Sequence, residues 1–289
     1  MCPMSPHPAA SAAGTFVLGG DLPVTRLGFG ALRILGPNGR GAPRDRAQAL
    51  GVLRRAVDLG ITLIDTADSY GPGISEELIA EALHPYPAGL VIATKGGFIR
   101  PRGSWTANGR PAHLREALEG SLRRLKVDRI DLYQLHTVDP RVPLEESVGV
   151  LAETQRQGKI RHIGVSNVSA DELRRARAVA RIVSVQNAYN VADRRCDDVL
   201  DACTRDGLGF LPWRPLGTRG AGHGLTDRLR AVASRHEATP AQVALAWLLR
   251  RSPAVLPIPG TSSPAHLEEN VAAAGLRLDD EGYRSLTDT

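Results

Sequence analysis

Cysteine is scarce in this chain of 289 residues, which has three: Cys2, Cys196 and Cys203. An odd number with no C-x-x-C pair supports neither a disulfide framework nor a cysteine-bound zinc site, and points to a reducing, cytoplasmic setting. The eight histidines show no metal-ligand spacing such as H-E-x-x-H, so no metal site is expected. Uncharged apolar runs long enough to span a bilayer, about 18 residues or more, are absent, which excludes a membrane helix. Residues 1–14 are rich in Pro, Ala and Ser and lack a basic segment ahead of an apolar stretch. They read as a disordered arm rather than a signal peptide, leaving residues 15–289 as one domain. Aromatic residues make up only 4% and do not interleave with a basic stripe. The net charge of +5 comes from arginines dispersed among acidic residues on helical faces, so nucleic acid is not an expected partner.

Lysine is scarcer still relative to its class. Of 36 basic residues only Lys95, Lys126 and Lys159 are lysines. Where charge alone is needed this chain uses arginine, so a lysine in an apolar setting suggests a compact ammonium with a specific task. Lys95 ends the apolar run Leu90-Val-Ile-Ala-Thr94, whereas Lys126 and Lys159 lie in charged, turn-like surroundings that read as surface.

Short apolar runs recur at residues 29–32, 61–64, 90–93, 130–135, 160–165, 182–185, 208–211 and 255–258. Near-continuous apolar strands suit a parallel sheet buried on both faces. Between them lie helical stripes such as Leu114, Leu118, Leu122 and Leu125, and helix starts at Ser169-Ala-Asp-Glu172, Thr239-Pro-Ala-Gln242 and Ser263-Pro264. Ahead of them Thr15–Leu18 and Leu22–Thr25 flank Gly19-Gly20-Asp21, a hairpin signal. Eight strand–helix units without a linker predict a (β/α)8 TIM barrel of the α/β class with an N-terminal β-hairpin. The competing open sheet requires a G-x-G-x-x-G turn after its first strand, and residues 35–40 do not supply one.

A barrel of this kind carries its chemistry at the C-terminal ends of its strands. Asp65, Lys95 and His136 end three successive runs there, with Tyr70 in the loop after Asp65. Singly, three of them have a structural reading: Asp65 as a helix cap, His136 as a rim histidine and Tyr70 as a packed ring. Together they aim an acid, a base and a cation at one mouth.

The segment Asp65-Thr-Ala-Asp-Ser-Tyr-Gly71 closely resembles the second-strand motif of aldo-keto reductases. Thr94-Lys95, Asp131-Leu-Tyr-Gln-Leu-His136, Ile163-Gly-Val-Ser-Asn167 and Gln186-Asn-Ala-Tyr-Asn190 follow in that family's order. The resemblance spans roughly residues 15–286. It implies a barrel enzyme that reduces a small-molecule carbonyl with NADP(H), using Asp65, Tyr70, Lys95 and His136 as its tetrad. Tyr70 is then the general acid, its pKa lowered by Lys95; Asp65 holds Lys95, and His136 orients the carbonyl.

The same resemblance implies that Ser166, Asn167 and Gln186 bind the nicotinamide amide and that Trp213 stacks on the ring. Arg214, Leu216 and Gly217 fall in the segment that wraps the pyrophosphate, with Arg214 where serine is common in the family. Gly260, Thr261, Ser262, His266, Glu269 and Asn270 correspond to the site of the adenosine 2′-phosphate and adenine, at a helix N-terminus suited to anions. Some members have lysine and arginine at the positions of Gly260 and His266.

Short bacterial members related to pyridoxal reductases look most similar, which makes pyridoxal a candidate substrate. Residues 96–111, with Trp105, are expected to form a pocket wall, and residues 218–224 a flap. No long substrate loop is expected after residues 279–286. Two other readings are an aldolase-type barrel forming a Schiff base through Lys95 and a non-catalytic nicotinamide-binding regulatory subunit. Nothing in the sequence speaks to oligomeric state.

Overall fold

The structure, a computed structural model, describes residues 9–217 and 223–288. Strands β1 (Thr15–Leu18) and β2 (Leu22–Thr25) form the antiparallel hairpin expected from the glycine turn. A parallel sheet follows in the order β3 (Phe29–Gly30), β4 (Leu63–Asp65), β5 (Val91–Gly96), β8 (Ile130–Leu135), β9 (Ile160–Ser166), β10 (Ile182–Gln186) and β11 (Gly209–Phe210). A second hairpin, β6 (Phe98–Ile99) with β7 (Thr106–Ala107), rises from the end of β5.

The eighth expected strand, at 255–258, is not a regular ladder strand. Its physical obstacle is proline: Pro257 and Pro259 have no N–H to give. Their carbonyls instead accept from Gly28 N–H at 2.9 Å and Gly30 N–H at 3.3 Å. On the other side Phe210 N–H donates to Ala254 and the Leu256 N–H to Phe210, both at 2.8 Å. This segment therefore joins the last sheet strand to the first and closes the barrel. The expected first strand is also shorter, because Ala31–Ile34 coil into a 3-10 turn.

Helices α1 (Arg46–Asp58), α2 (Ile74–Leu83), α3 (Pro111–Leu125), α4 (Leu144–Arg156) and α5 (Ala170–Val179) wrap the first half of the sheet. Helices α6 (Asp197–Asp206), α7 (His223–Arg235), α8 (Pro240–Arg251), α9 (Pro264–Ala272) and α10 (Asp280–Thr287) complete the ring. The expected starts hold: Ser169 and Thr239 form capping boxes with Glu172 and Gln242, and the Ser263 hydroxyl accepts from His266 N–H. The α3 stripe Leu114, Leu118, Leu122 and Leu125 is buried.

Two apolar layers result. One lies between strands and helices. The other fills the barrel bottom, where Leu18, Leu22 and Val24 of the first hairpin pack on Leu63, Val91, Leu132 and Val183. Arg161 and His162, at the start of β9, hold Asp21 of the hairpin turn, and Arg181 before β10 holds Gly19. The hairpin thus plugs the end opposite the strand C-termini.

The expectation of a disordered arm over 1–14 does not hold at its C-terminal part. Ala10–Ala13 form a 3-10 turn, Ala10 is buried, and its N–H bonds Leu59 O at 2.9 Å. Small side chains let this turn seat against the barrel; residues 1–8 lie outside the described residues. So does most of the expected 218–224 flap, of which residue 224 falls in the first turn of α7. Among the described residues no helix is long and apolar enough to cross a membrane.

The closing seam gives a test. A Cβ on Gly30 would sit 2.7 Å from the Ile258 carbonyl oxygen, although the backbone there is ordinary for any residue. Gly30→Ala is expected to destabilise the fold by about 1–3 kcal/mol, the usual cost of overpacking, measured by urea unfolding.

Candidate active site

Parallel register delivers the polar side chains to one end. Asp65 lies opposite Ala93 on β5, and Lys95 opposite Gln134 on β8, so Asp65 and Lys95 both project at the top of the interior. Lys95 has no exposed surface and Asp65 almost none. The ammonium donates to Asp65 Oδ2 at 2.8 Å and to Thr66 O at 2.6 Å. The Tyr70 ring lies beside it, its centroid 5.1 Å from the ammonium nitrogen. Asp65 Oδ1 accepts from Gln186 Nε2 at 2.8 Å and more weakly from Gln134 Nε2 at 3.4 Å. A buried ion pair is tolerable only when its remaining lone pairs and protons are satisfied in this way.

Burial opposes the charge on Lys95, but attraction from Asp65 and Tyr70 outweighs it, so the pKa of Lys95 is raised. Lys95 is an ammonium at neutral pH. The expected lowering of the Tyr70 pKa is corrected here. Burial raises it, Lys95 pulls it down, Asp65 pushes it up, and the net direction is upward. Tyr70 is therefore a neutral phenol with its proton in place. Burial, and then the positive charge of Lys95, hold the His136 pKa well below the ordinary histidine value, so the ring is neutral.

Four rings frame the mouth. His136 packs edge-on against Phe98 (centroids 4.7 Å), Tyr70 (5.8 Å) and Trp105 (5.9 Å), and Tyr70 meets Trp105 at 6.2 Å. Phe98 and Trp105 belong to the β6–β7 hairpin, so the expected wall at 96–111 is built as a hairpin carrying aromatics. Arg100 stacks on Trp105 with its guanidinium carbon 3.8 Å from the ring. Sequence reasoning missed the hairpin's anchor, Asp139. It is buried, accepts from Gly109 N–H at 3.0 Å, and is clamped by Arg141, which also donates to Ala107 O. The hydrogen bonds from Arg141 and Gly109 hold its carboxyl well below the usual range.

A second group lies beside the first, on β9, β10 and the segment after β11. Ser166 Oγ donates to Gln186 O at 2.7 Å, and Asn167 Nδ2 to Ser166 Oγ at 3.1 Å and His136 O at 3.0 Å. Asn167 Oδ1 in turn receives the Trp213 indole N–H at 2.9 Å, which fixes a half-exposed ring beside the mouth. Asn167 and Arg214 both have left-handed backbones, which non-glycine residues adopt only when their surroundings impose it. Asn190, which ends the Gln186-Asn-Ala-Tyr-Asn190 motif, imposes one of them by donating to Arg214 O at 3.1 Å. A Cβ on Gly217 would meet Asn190 Nδ2 at 2.7 Å, so Leu216 and Gly217 form a tight turn.

The third group is at the seam. Gly260 packs on Gly30, where a Cβ would lie 2.4 Å from the carbonyl oxygen, and the exposed Arg33 runs alongside it. Thr261 Oγ1 accepts from Ser263 N–H at 3.0 Å, and Ser262 O from Gln48 Nε2 at 2.6 Å. His266 is exposed, Asn270 is buried, and Glu269 accepts from Thr239 Oγ1 at 2.5 Å. Among the described residues no cluster of potential metal ligands occurs.

The aldo/keto reductase family model matches residues 26–289. The chain belongs to the aldo/keto reductase family. It is 46% identical to pyridoxine 4-dehydrogenase of Escherichia coli over 282 residues, covering 95% of this chain and 98% of the relative. It is 45% identical to an uncharacterized oxidoreductase of Schizosaccharomyces pombe over 278 residues, covering 96% and 90%. Among solved structures it resembles a Klebsiella pneumoniae aldo-keto reductase crystallised with NADPH, at 31% identity and TM-score 0.81, covering 95% and 94%. In this aldo/keto reductase the buried Lys95–Asp65 pair lies at the strand C-termini, opposite the hairpin plug.

The pocket wall can be tested apart from the chemistry. Asp139→Ala leaves the buried Gly109 N–H without its acceptor, and is expected to cost about 1–3 kcal/mol near neutral pH. The depressed carboxyl pKa sets the sign of the pH dependence. The stabilisation is present above the ordinary aspartate range of about 3.9 and fades as pH falls below it, so the gap between parent and variant melting temperatures narrows in acid.

Proposed function

We propose that this aldo/keto reductase reduces an aldehyde, with pyridoxal the leading candidate, to the alcohol by NADP(H)-dependent hydride transfer with Tyr70 as the general acid. The observation that carries the reading is the buried Lys95, shared between Asp65 and Tyr70 beside a neutral His136. The residues present fit a nicotinamide nucleotide. Trp213 offers a flat half-exposed ring, the turn at Arg214, Leu216 and Gly217 offers backbone groups, and α9 begins beside Gly260, Thr261 and Ser262. Ser166, Asn167 and Gln186 would hold the amide of the ring, and Trp213 its face. Arg33, alongside Gly260, would supply positive charge at the phosphate end, where His266 stands in place of the arginine found in some members; Glu269 and Asn270 would face the adenine. The bound nicotinamide supplies hydride to the carbonyl carbon.

The chain's own residues do the rest. His136 donates a hydrogen bond from Nε2 to the carbonyl oxygen and orients it. Tyr70 hands that oxygen its phenolic proton. The phenolate left behind faces an ammonium that cannot move, because Asp65 and Thr66 O fix it. Burial that raises the Tyr70 pKa keeps the proton in store until negative charge develops; the Lys95 charge then makes its release easier. The four rings suit a planar substrate, and the Escherichia coli relative carries the name of a dehydrogenase of a vitamin B6 alcohol. A Schiff-base role for Lys95 is disfavoured, since a raised pKa withholds the neutral amine that such chemistry needs.

The test is a carbonyl panel including pyridoxal, followed by the absorbance of the reduced cofactor. Tyr70→Phe is expected to lower kcat by about 100-fold or more while NADPH still quenches tryptophan fluorescence as in the parent. Undiminished turnover in that variant removes the acid role. Tight NADPH binding without turnover of any aldehyde points instead to a regulatory nicotinamide-binding subunit.

A further inference from the structure

Two neighbouring loops at the mouth carry an unbalanced positive charge. The whole chain has 36 basic side chains to 31 acidic ones. Residues 31–45, which follow β3, and residues 96–110, which hold the β6–β7 hairpin, contain six arginines and a single acid, Asp45. Asp45 is already engaged, since its carboxylate caps α1 by accepting from Gln48 N–H at 2.8 Å. None of Arg33, Arg40, Arg44, Arg100, Arg102 and Arg110 forms an ion pair among the described residues. Elsewhere arginines pair across elements, as Arg55 does with Glu268 and Arg175 with Glu145.

The two loops meet at Gly103. A Cβ there would collide with the Arg40 guanidinium, so the absence of a side chain lets Arg40 lie on the hairpin. Arg100 Nε donates to the Gly103 carbonyl at 3.3 Å and its Nη2 to Asn38 O at 3.4 Å, while Nη1 has no partner. Only two long hydrogen bonds therefore hold the Arg100 guanidinium, and it can turn towards a ligand at little cost. Two guanidiniums share one glycine with no carboxylate between them. Burial, and then the charge of Arg40, lower the Arg100 pKa. An anion placed between them would relieve that repulsion through charge-assisted hydrogen bonds.

Trp105 connects this pair to the reacting centre. The Arg100 guanidinium carbon lies 3.8 Å from its ring centroid, and the ring meets Tyr70 at 6.2 Å and His136 at 5.9 Å. Trp105 is 42% exposed, one of two large apolar side chains so exposed among the described residues. The distance from Tyr70 and His136 to the Trp105 ring is one that a single substituted aromatic ring bridges. Arg33, at the start of the first loop, lies instead beside Gly260, on the side assigned above to the cofactor.

We propose that Arg40 and Arg100 bind an anionic group, a carboxylate or a phosphate, at the far end of the substrate. The aldehydes selected by this mouth are then planar molecules with a negative charge held away from the carbonyl. Tyr70 and His136 take the carbonyl oxygen, Trp105 lies along the ring, and the two guanidiniums take the anion.

This selectivity presupposes that the mouth reduces aldehydes, and the test separates the two. Two matched pairs are compared by kcat/KM: pyridoxal 5′-phosphate with pyridoxal, and 4-carboxybenzaldehyde with 4-methylbenzaldehyde. The anionic member of at least one pair is expected to be preferred by about tenfold or more at low salt, and the pair that shows it identifies the anion. Raising the salt from about 0.05 M to about 0.5 M is expected to shrink the preference. Arg40→Gln with Arg100→Gln is expected to abolish it, and Arg40→Lys with Arg100→Lys to keep part of it. Equal use of charged and neutral aldehydes by the parent overturns the proposal while leaving the reductase reading intact, as does an undiminished preference in the double glutamine variant. A loss that follows weaker NADPH binding, read by quenching of tryptophan fluorescence, assigns the arginines to the cofactor and also overturns it. If no aldehyde is turned over, the reductase reading fails. Calorimetric titration of the same four aldehydes then decides the anion site, with tighter binding of the charged members supporting it and equal binding overturning it. If the double variant does not fold, Arg40→Gln decides, since the exposed Arg40 side chain makes no hydrogen bond among the described residues.

Discussion

The site is organised around one ion pair, Lys95 with Asp65, enclosed in the top of the barrel. Removing two charges from water costs several kcal/mol each unless neighbours restore the lost bonds. Here Thr66 O, Gln186 and Gln134 do so, and each comes from a different strand or strand end. The pair can exist only if β4, β5, β8 and β10 are in register, so the fold and the electrostatics of the mouth are mutually dependent. Breaking either partner would leave the other buried and unpaired, and the cost would spread through four strands.

That dependence bears on the ionisation of the phenol beside it. Burial keeps Tyr70 protonated, against the pull of Lys95. The ammonium is fixed in place by Asp65 and Thr66 O, so under the proposed chemistry no solvent would need to reorganise as charge develops on a substrate oxygen. The neutral state of His136 follows first from its burial and then from the same cation, which disfavours a second positive charge beside it.

Much of this was readable in the sequence, for physical reasons. Asp65, Lys95 and His136 follow apolar runs, and barrel geometry converts a position after a strand into a position at the mouth. The rarity of lysine singled out Lys95. The hairpin and the capping boxes were legible because their turns and caps are local. Long-range closeness was not. Nothing in the one-dimensional pattern brings Arg33 beside Gly260, Asn190 to Arg214 O, or Asp139 to Gly109 N–H. The direction of the Tyr70 pKa required its burial to be weighed against its cation, and burial is a property of the packed mouth. Ser69 sits inside the motif that identified the loop, yet its contact with His136 becomes visible only once the fold places the ring nitrogen 3.4 Å from its hydroxyl. The last strand failed as a regular strand because an apolar run was counted without the donors that its prolines lack.

Those prolines have a bearing on the life of the molecule when it is partly open. At the seam the carbonyls of Pro257 and Pro259 receive, and Gly28 and Gly30 give. Should the cylinder part along that line, the exposed margin at 253–259 offers few amide hydrogens to a stranger. Two molecules caught in that state cannot zip together through it, so the irregularity that spoils the strand also guards the unrolled sheet against self-association.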